Sequence, residues 1–237
     1  MRLLKLSLLA AVATVGLSGV AFAEDIKPTW ALNADVTSDY VFRGVSQTGR
    51  YDPAVQGGLD LGYGIAYAGT WASNVKFGDG TDAEVDLYGG IKPKLGPVQL
   101  DLGAVYYAYP GAPTVDDVPY WEFKALGSVP AGPLTLGAAF YYSPDFTFTP
   151  GVTAHGYYYE ANAAFSPIKN VTASGAVGRQ EISNSTADYT TWNLGLTWAF
   201  APHFSIDARY WDTNKHSFSA YNSYGSKGVV TLKVTYP

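Results

Sequence analysis

The sequence predicts an all-β fold, a transmembrane antiparallel β-barrel of about 12 strands. Three observations indicate it: segments of strand length in which residues alternate, connections that are alternately short and long, and a leader at the start of the chain. Strands that cross a bilayer need about ten residues each, and the sheet must close because hydrocarbon offers no partner to an unpaired edge.

The start of the chain has the pattern of a cleaved signal peptide. Arg2 and Lys5 carry positive charge, an apolar run follows, and Ala21-Phe22-Ala23 has the small-residue pattern of a cleavage site. We therefore expect residues 1–23 to be removed on export and residues 24–237 to form one domain, the barrel. The alternative is an uncleaved anchor, which the shortness of the apolar run disfavours.

Strand-length segments then follow one another to the end of the chain. They are Thr29–Thr37, Ala54–Tyr63, Ile65–Asn74, Glu84–Lys92, Val98–Tyr107, Tyr120–Ser128, Leu134–Tyr142, Tyr157–Ser166, Val171–Gln180, Tyr189–Phe200, His203–Trp211 and Gly228–Tyr236. The short connections between them are Gly64, 93–97, 129–133, 167–170 and Ala201-Pro202. The other connections are centred on Thr48, Gly80, Pro113, Pro150, Asn184 and Asn222. We expect the short turns in the periplasm, with both termini, and the longer loops outside.

A period of two puts one row of each strand on lipid and the other in the bore. Two apolar rows are clear: Leu134, Leu136, Ala138, Phe140, and Trp192, Leu194, Leu196, Trp198, Phe200. The rival fold is a soluble sandwich, which also alternates. Its strands are usually about five or six residues long, whereas these segments are near ten, so the barrel is favoured.

Composition agrees with a membrane barrel. The chain has 19 Tyr, 6 Trp and 26 Gly, which suits aromatic girdles at the two interfaces and a curved sheet. It has no Cys, so a disulfide framework is excluded. The net charge of −5 argues against nucleic acid as a partner, because phosphate binding needs a basic patch.

The rows opposite the apolar ones carry charges into the bore. They are Asp60, Asp86, Asp101, Glu122, Glu160, Asp207, Lys92, Lys124, Arg209 and Lys233. A mildly electronegative wall attracts cations over a Debye length of about 8 Å, so we expect these residues, with Arg43, to line the pore and set its selectivity. Neutralising Asp101 and Glu122 together should weaken cation preference. The alternative is that charges pair across strands, for example Glu122 or Lys124 with Asp101 or Asp86, and fill the bore.

The densest polar and aromatic motif runs from Ser38 to Thr48, with the sequence S-D-Y-V-F-R-G-V-S-Q-T. It either extends the first strand as an ordinary hairpin, in which Arg43 pairs with a neighbouring acid, or folds inward as a loop. An inward loop with Arg43 facing carboxylates would narrow a channel and set its selectivity.

We predict no catalytic residue, metal or cofactor. A serine hydrolase needs a histidine base beside its nucleophile, and His155, His203 and His216 lie in predicted loops and turns, while no G-x-S-x-G motif occurs. Acidic residues in two outer loops offer calcium-type oxygen ligands but lack the glycine-centred spacing of a calcium loop. They are Asp79, Asp82, Glu84 and Asp116-Asp117. Contact with lipopolysaccharide through divalent ions is the alternative for them. Tyr157 to Tyr159 and Tyr106-Tyr107 are assigned to the girdle, with sugar stacking as the alternative.

Four motifs carry a family resemblance. They are Ser38-Asp39-Tyr40-Val41-Phe42-Arg43-Gly44, Ser46-Gln47-Thr48, Pro53-Ala54-Val55-Gln56-Gly57 and Gly69-Thr70-Trp71-Ala72-Ser73-Asn74-Val75. On these motifs the chain resembles the TorF-type porins of proteobacteria, outer-membrane proteins of unknown function, and the similar layout covers the whole chain after the leader. The resemblance implies an outer-membrane channel and supplies no substrate or catalytic residue. Outer-membrane barrels end on an aromatic residue that the barrel-assembly machinery reads, whereas here Tyr236 is followed by Pro237.

We therefore expect a passive channel for small hydrophilic solutes or ions, mildly cation-selective, in the outer membrane of a Gram-negative bacterium. The alternatives are a non-conducting structural or surface-interaction barrel and, third, an outer-membrane lipid hydrolase. The expected partners are outer-membrane lipid and lipopolysaccharide, the barrel-assembly machinery and small hydrophilic solutes. The solute, the gating and the oligomeric state, a homo-oligomer included, stay open.

Overall fold

The computed structural model describes residues 27–112, 119–146, 154–216 and 223–237, so the predicted leader lies outside the described residues. The long strands are β1 Thr29–Thr37, β2 Ala54–Tyr63, β3 Ala66–Asn74, β4 Ala83–Ile91, β5 Val98–Ala108, β6 Tyr120–Ala131, β7 Leu134–Ser143, β8 Gly156–Ile168, β9 Val171–Ile182, β10 Tyr189–Ala201, β11 Phe204–Thr213 and β12 Lys227–Tyr236. Two-residue strands add a hairpin of Val41–Phe42 with Val45–Ser46, and a pairing of Lys94–Leu95 with the start of β5.

The sheet is a closed antiparallel barrel, which confirms the predicted fold class. Each strand pairs with its neighbours in the chain, and β1 pairs with β12 from Leu32↔Tyr236 to Thr37↔Thr231. Closure pairs the first strand with the last, so the wall keeps no open edge and every strand has two partners.

The barrel is polar inside and apolar outside. The largest fully buried side chains all carry a polar group; they are Gln180, Glu122, Thr48, Thr81, Thr191, Thr213, Asp39 and Ser143. Large apolar side chains stand on the outer surface instead, as Leu194 does at 66% and Leu196 at 57% exposure. This inversion of the usual burial pattern is what a lipid environment around a polar bore requires.

No helix among the described residues is long and apolar enough to cross a membrane.

The strands run further than the sequence predicts at one end of the barrel. The predicted connection 129–133 shrinks to two residues, because β6 continues to Ala131 and β7 begins at Leu134. Gly132 has φ +63°, a conformation that glycine adopts without strain, so two residues are enough for the turn. Ile65, Lys92 and His203, predicted at strand ends, lie in turns or connections.

Candidate functional site

The segment 38–53 between β1 and β2, here called the inner loop, folds into the bore rather than extending the hairpin. Its turn is fastened by the carboxylate of Asp39, whose Oδ1 accepts hydrogen bonds from Ser46 Oγ at 2.6 Å and Thr48 Oγ1 at 2.9 Å. Burial raises the pKa of the Asp39 carboxyl, while these two hydroxyl bonds act in the opposite direction. Of the two interpretations of the motif from Ser38 to Thr48, the structure shows the loop that folds inward.

Arg43, at the tip of the inner loop, reaches across the bore to the opposite wall. Its Nη1 and Nη2 donate to Oε1 and Oε2 of Glu122 on β6, both at 2.8 Å. Nη1 also donates to Oε1 of Gln180 on β9 at 3.1 Å. The side chains of Arg43 and Glu122 are 6% and 1% exposed, so the ion pair is buried in the bore. A bidentate pair of hydrogen bonds of this kind fixes both the distance and the relative orientation of the guanidinium and the carboxylate.

Aromatic rings flank the same guanidinium. The Cζ atom of Arg43 lies 4.3 Å from the ring centre of Tyr158, 4.7 Å from that of Tyr141 and 4.6 Å from that of Phe42. The flat cation therefore has a carboxylate at its donor edge and π-faces around it, an arrangement that stabilises a desolvated guanidinium.

Further bonds fasten the inner loop to other strands. Tyr40 donates to Oε1 of Glu84 on β4 at 2.7 Å, and its ring packs at 5.3 Å against Trp71 on β3. Lys227, at the start of β12, donates to the carbonyl oxygen of Gly44 at 2.8 Å. Because these contacts lie on both sides of Arg43, the loop spans the bore at the end of the barrel where the longer connections lie.

Of the charged residues predicted to line the pore, all but Lys92 lie on bore-facing rows or on the inner loop. Several pair with each other. Lys124 lies 3.2 Å from Asp101, which also accepts a 2.6 Å bond from Tyr67. Arg209 lies 3.0 Å from Asp207. The alternative for these charges was that they pair across neighbouring strands, and Lys124 and Asp101 do pair in this way.

Other predicted residues have different partners. Lys233 pairs at 3.4 Å with Asp35. Lys92 lies beyond the end of β4, with its Nζ 4.4 Å from the ring centre of Tyr67. Arg209 additionally donates to Oδ1 of Asn193 at 2.7 Å. These basic groups are therefore held against the wall.

Several bore carboxylates form no ion pair with a described residue. The ion pairs among the described residues leave out five of them, namely Asp39, Asp60, Glu84, Asp86 and Glu160. Asp60 accepts from Tyr88 at 2.7 Å, and Glu160 accepts from Tyr158 at 2.8 Å. Carboxyl groups therefore outnumber basic side chains in the described part of the bore.

Sequence reasoning missed several residues of this site. They are Asp35, Glu84, Gln180, Tyr107, Tyr158 and Lys227. Tyr107 and Tyr158 were expected in the girdle, which is wrong, because both are buried and face the bore. The signal was available: each stands an even number of positions from an acid predicted to line the pore, Asp101 for Tyr107 and Glu160 for Tyr158, so each shares its row.

The histidines have partners other than a serine nucleophile. His155 Nδ1 lies 3.2 Å from the hydroxyl of Tyr142, His216 Nε2 lies 3.1 Å from Asp212, and His203 packs on the ring of Tyr236. Asp116-Asp117 lie outside the described residues, and among the described residues no group of three or more His, Asp or Glu is placed to hold a metal ion.

Several solved structures share the fold. A NanC porin superposes with a TM-score of 0.58 at 10% identity, covering 88% of this chain and 100% of that one. A KdgM porin in complex with disordered oligogalacturonate gives 0.59 at 7%, covering 88% and 99%. An outer-membrane channel from Pseudomonas putida F1 gives 0.51 at 12%, covering 90% and 96%. At such identities the likeness shows the fold alone. No curated protein sequence matches the chain.

One family model matches nearly the whole chain. It covers residues 24–236 and is described as a bacterial protein of unknown function (Gcw_chp). The match begins directly after the predicted leader, and it carries no substrate or site residue. The family description does not include the narrower TorF-type name that the sequence motifs suggest.

Proposed function

The chain belongs to the Gcw_chp family of bacterial proteins of unknown function, and from this premise and the geometry of the bore we propose that it is an outer-membrane channel for small hydrophilic solutes, chiefly cations. One observation carries the proposal: a closed barrel that is apolar outside encloses rows of charged and polar side chains. The TorF-type resemblance and the porin-like neighbours support it. A Gram-negative outer membrane is the location in which such barrels occur.

The charge of the bore favours cations. Basic side chains are held in ion pairs or on carbonyl oxygens, as Lys124 is by Asp101 and Lys227 by Gly44, while acids such as Asp60 and Glu160 accept hydrogen bonds from tyrosine hydroxyls. A narrow bore whose wall carries excess negative charge attracts cations and repels anions. Oligogalacturonate, seen with the KdgM porin, is a polyanion, so the shared fold does not predict a shared solute.

The inner loop forms the constriction in this proposal. Twelve strands give a bore between those of small filled barrels and wide porins, so one inserted loop is enough to control it. Arg43 and Glu122 join the loop to the far wall by a buried ion pair. Solutes therefore pass when the loop shifts, or through the space that it leaves beside the wall.

A second candidate rests on the same loop. If the inner loop never moves, the barrel is a structural or surface-interaction protein with a plugged bore, and its outer loops contact envelope partners such as lipopolysaccharide. The burial of Arg43 and Glu122 favours this candidate. The two candidates differ in a single property, conduction.

Single-channel recording in a planar bilayer under a KCl gradient tests the proposal. Discrete current steps with a reversal potential of cation sign are expected. Steps without ion preference would keep the channel and remove the electrostatic mechanism. A barrel that inserts, migrates as a folded species in gels and stays silent would replace the channel by the plugged barrel.

A further inference from the structure

The wall opposite the inner loop contains a pocket shaped for a guanidinium group. It is defined here as the guanidinium pocket, formed by Glu122, Tyr141, Tyr158 and Gln180, one residue from each of β6 to β9. The Glu122 carboxylate binds both terminal nitrogens of Arg43 at 2.8 Å, and the Gln180 amide oxygen accepts a third bond. Four adjacent strands thus supply the complete set of contacts.

The pocket is held by the wall itself and not by its occupant. Tyr107 on β5 donates to Oε2 of Glu122 at 3.0 Å, which fixes the carboxylate. Tyr158 donates to Glu160 at 2.8 Å and lies over Gly178, where an added Cβ would stand 2.5 Å from its Cζ. Because both recognition groups have wall partners of their own, the pocket keeps its geometry when the guanidinium leaves.

The occupant, in contrast, is presented by a strained part of the chain. Arg43 has φ +49°, in the left-handed region that a residue with a side chain seldom adopts, and Gly44 follows with φ +84°. It also sits in a loop, whereas the pocket sits on paired strands. Exchange of the occupant therefore requires movement of the loop and none of the barrel.

From this arrangement we propose that the guanidinium pocket is a binding site for solutes that carry a guanidinium group, such as arginine derivatives, and that Arg43 is its tethered occupant. The proposal rests on the proposed channel function, since solutes must enter the bore to reach it. A passing solute exchanges with Arg43, which releases the tip of the inner loop and widens the path.

The pocket discriminates between cations by shape. A guanidinium offers two parallel N–H donors that match a carboxylate and two flat faces that stack on tyrosine rings. An ammonium is a compact, strongly hydrated charge that has neither. The specificity is therefore for the planar group and not for positive charge in general.

The first test measures binding without conduction. The Arg43→Ala variant of the full chain is expressed with its leader and purified in detergent. Binding of methylguanidinium and of methylammonium is then measured in separate saturation-transfer NMR titrations. We expect millimolar binding of methylguanidinium, about tenfold tighter than that of methylammonium, because only the planar cation forms the two-pronged bond. Adding Glu122→Gln should remove this preference. Equal binding of the two cations would overturn the proposal.

Arg43→Ser provides the same measurement if the alanine variant fails to fold. Its hydroxyl is too short to reach Glu122 and leaves the pocket equally vacant. A folded serine variant that binds neither cation would also overturn the proposal.

The second test uses the unaltered channel in liposomes. Influx of arginine amide should exceed that of lysine amide about threefold. Glu122→Gln should make the two influx rates equal, because the bidentate hydrogen bond to the carboxylate is lost. Equal influx in the unaltered protein would overturn the proposal and leave the channel function standing. No influx of either solute, together with methylguanidinium binding in the first test, would overturn the channel function and leave the pocket as a binding site.

Discussion

The ammonium of Lys227 donates to the carbonyl oxygen of Gly44 at 2.8 Å, across 183 positions of sequence. Lys227 is only 3% exposed and also donates to the carbonyl oxygen of Ser223 at 2.9 Å. The last strand of the barrel therefore holds the inner loop at Gly44, the residue directly after Arg43. The loop's backbone, as well as its arginine, is tied to the wall.

Replacing Gly44 should release the loop. A Cβ at Gly44 would stand 2.1 Å from Thr191 Oγ1, and φ is +84°, so Gly44→Ala brings both backbone strain and a steric clash. Gly111→Ala is the matched control, because its φ is +80° and nothing lies within 4 Å of an added Cβ. Both variants carry the backbone cost of about 1–2 kcal/mol. Only Gly44→Ala should change single-channel conductance, upward; identical currents from the two variants would show that the loop does not control the bore.

Breaking the buried ion pair should be costly. Glu122→Gln leaves Arg43 buried without a counter-charge, and the expected loss of unfolding free energy is about 3–5 kcal/mol. Asp52→Asn, which breaks the exposed pair of Asp52 with Lys76, should cost about 0–1 kcal/mol. The measurement is the urea unfolding midpoint in detergent or lipid vesicles.

The double variant Arg43→Met with Glu122→Gln distinguishes pairing from packing. It removes both charges together, so it should be more stable than Glu122→Gln alone. A double variant that loses the sum of the single losses would mean that the two residues act independently.

Cation preference should follow net charge in the bore. Asp60→Asn removes a carboxylate that accepts a hydrogen bond from Tyr88 and is in no ion pair of the described residues, so the reversal potential should move toward zero. The control is Lys124→Gln with Asp101→Asn, which removes one charge of each sign from a single pair and should leave the reversal potential nearly unchanged. Equal shifts from the two variants would contradict an electrostatic origin of the preference.

The outer surface should behave as a lipid-facing surface. Leu196, midway along β10 and 57% exposed, faces outward; Leu196→Arg should cost about 2–4 kcal/mol of folding free energy in lipid vesicles. Val55→Arg, near the start of β2, is the control and should cost about 0–1 kcal/mol, since the penalty falls toward the interface. A uniform cost at the two depths would argue against a membrane around the barrel.

The wall of this protein could be predicted from sequence because lipid on one side enforces a strict period of two. The charged residues assigned to the bore by that period are found on the inner rows, except Lys92, which lies in the connection after β4. The partners could not be predicted in the same way. Arg43 meets Glu122 and Gln180 at separations of 79 and 137 residues, and no local pattern encodes such a contact.

The course of the inner loop was equally beyond local reasoning. The motif from Ser38 to Thr48 satisfies the pattern of a hairpin and that of an inward loop. The choice depends on bonds from Asp39 to Ser46 and Thr48, and on distant wall residues that form their pocket only after the barrel closes. The pairing of Lys124 with Asp101 was predictable, because the two lie on adjacent strands.

The pairing of β12 with β1 has two structural results. Without β12 the sheet would have two unpaired edges, and the inner loop would lack its bond from Lys227 to Gly44. That one strand both closes the barrel and bonds to the inner loop. A chain that stops before β12 would therefore leave two unpaired strand edges, which invite aggregation, and an inner loop without its bond to the wall.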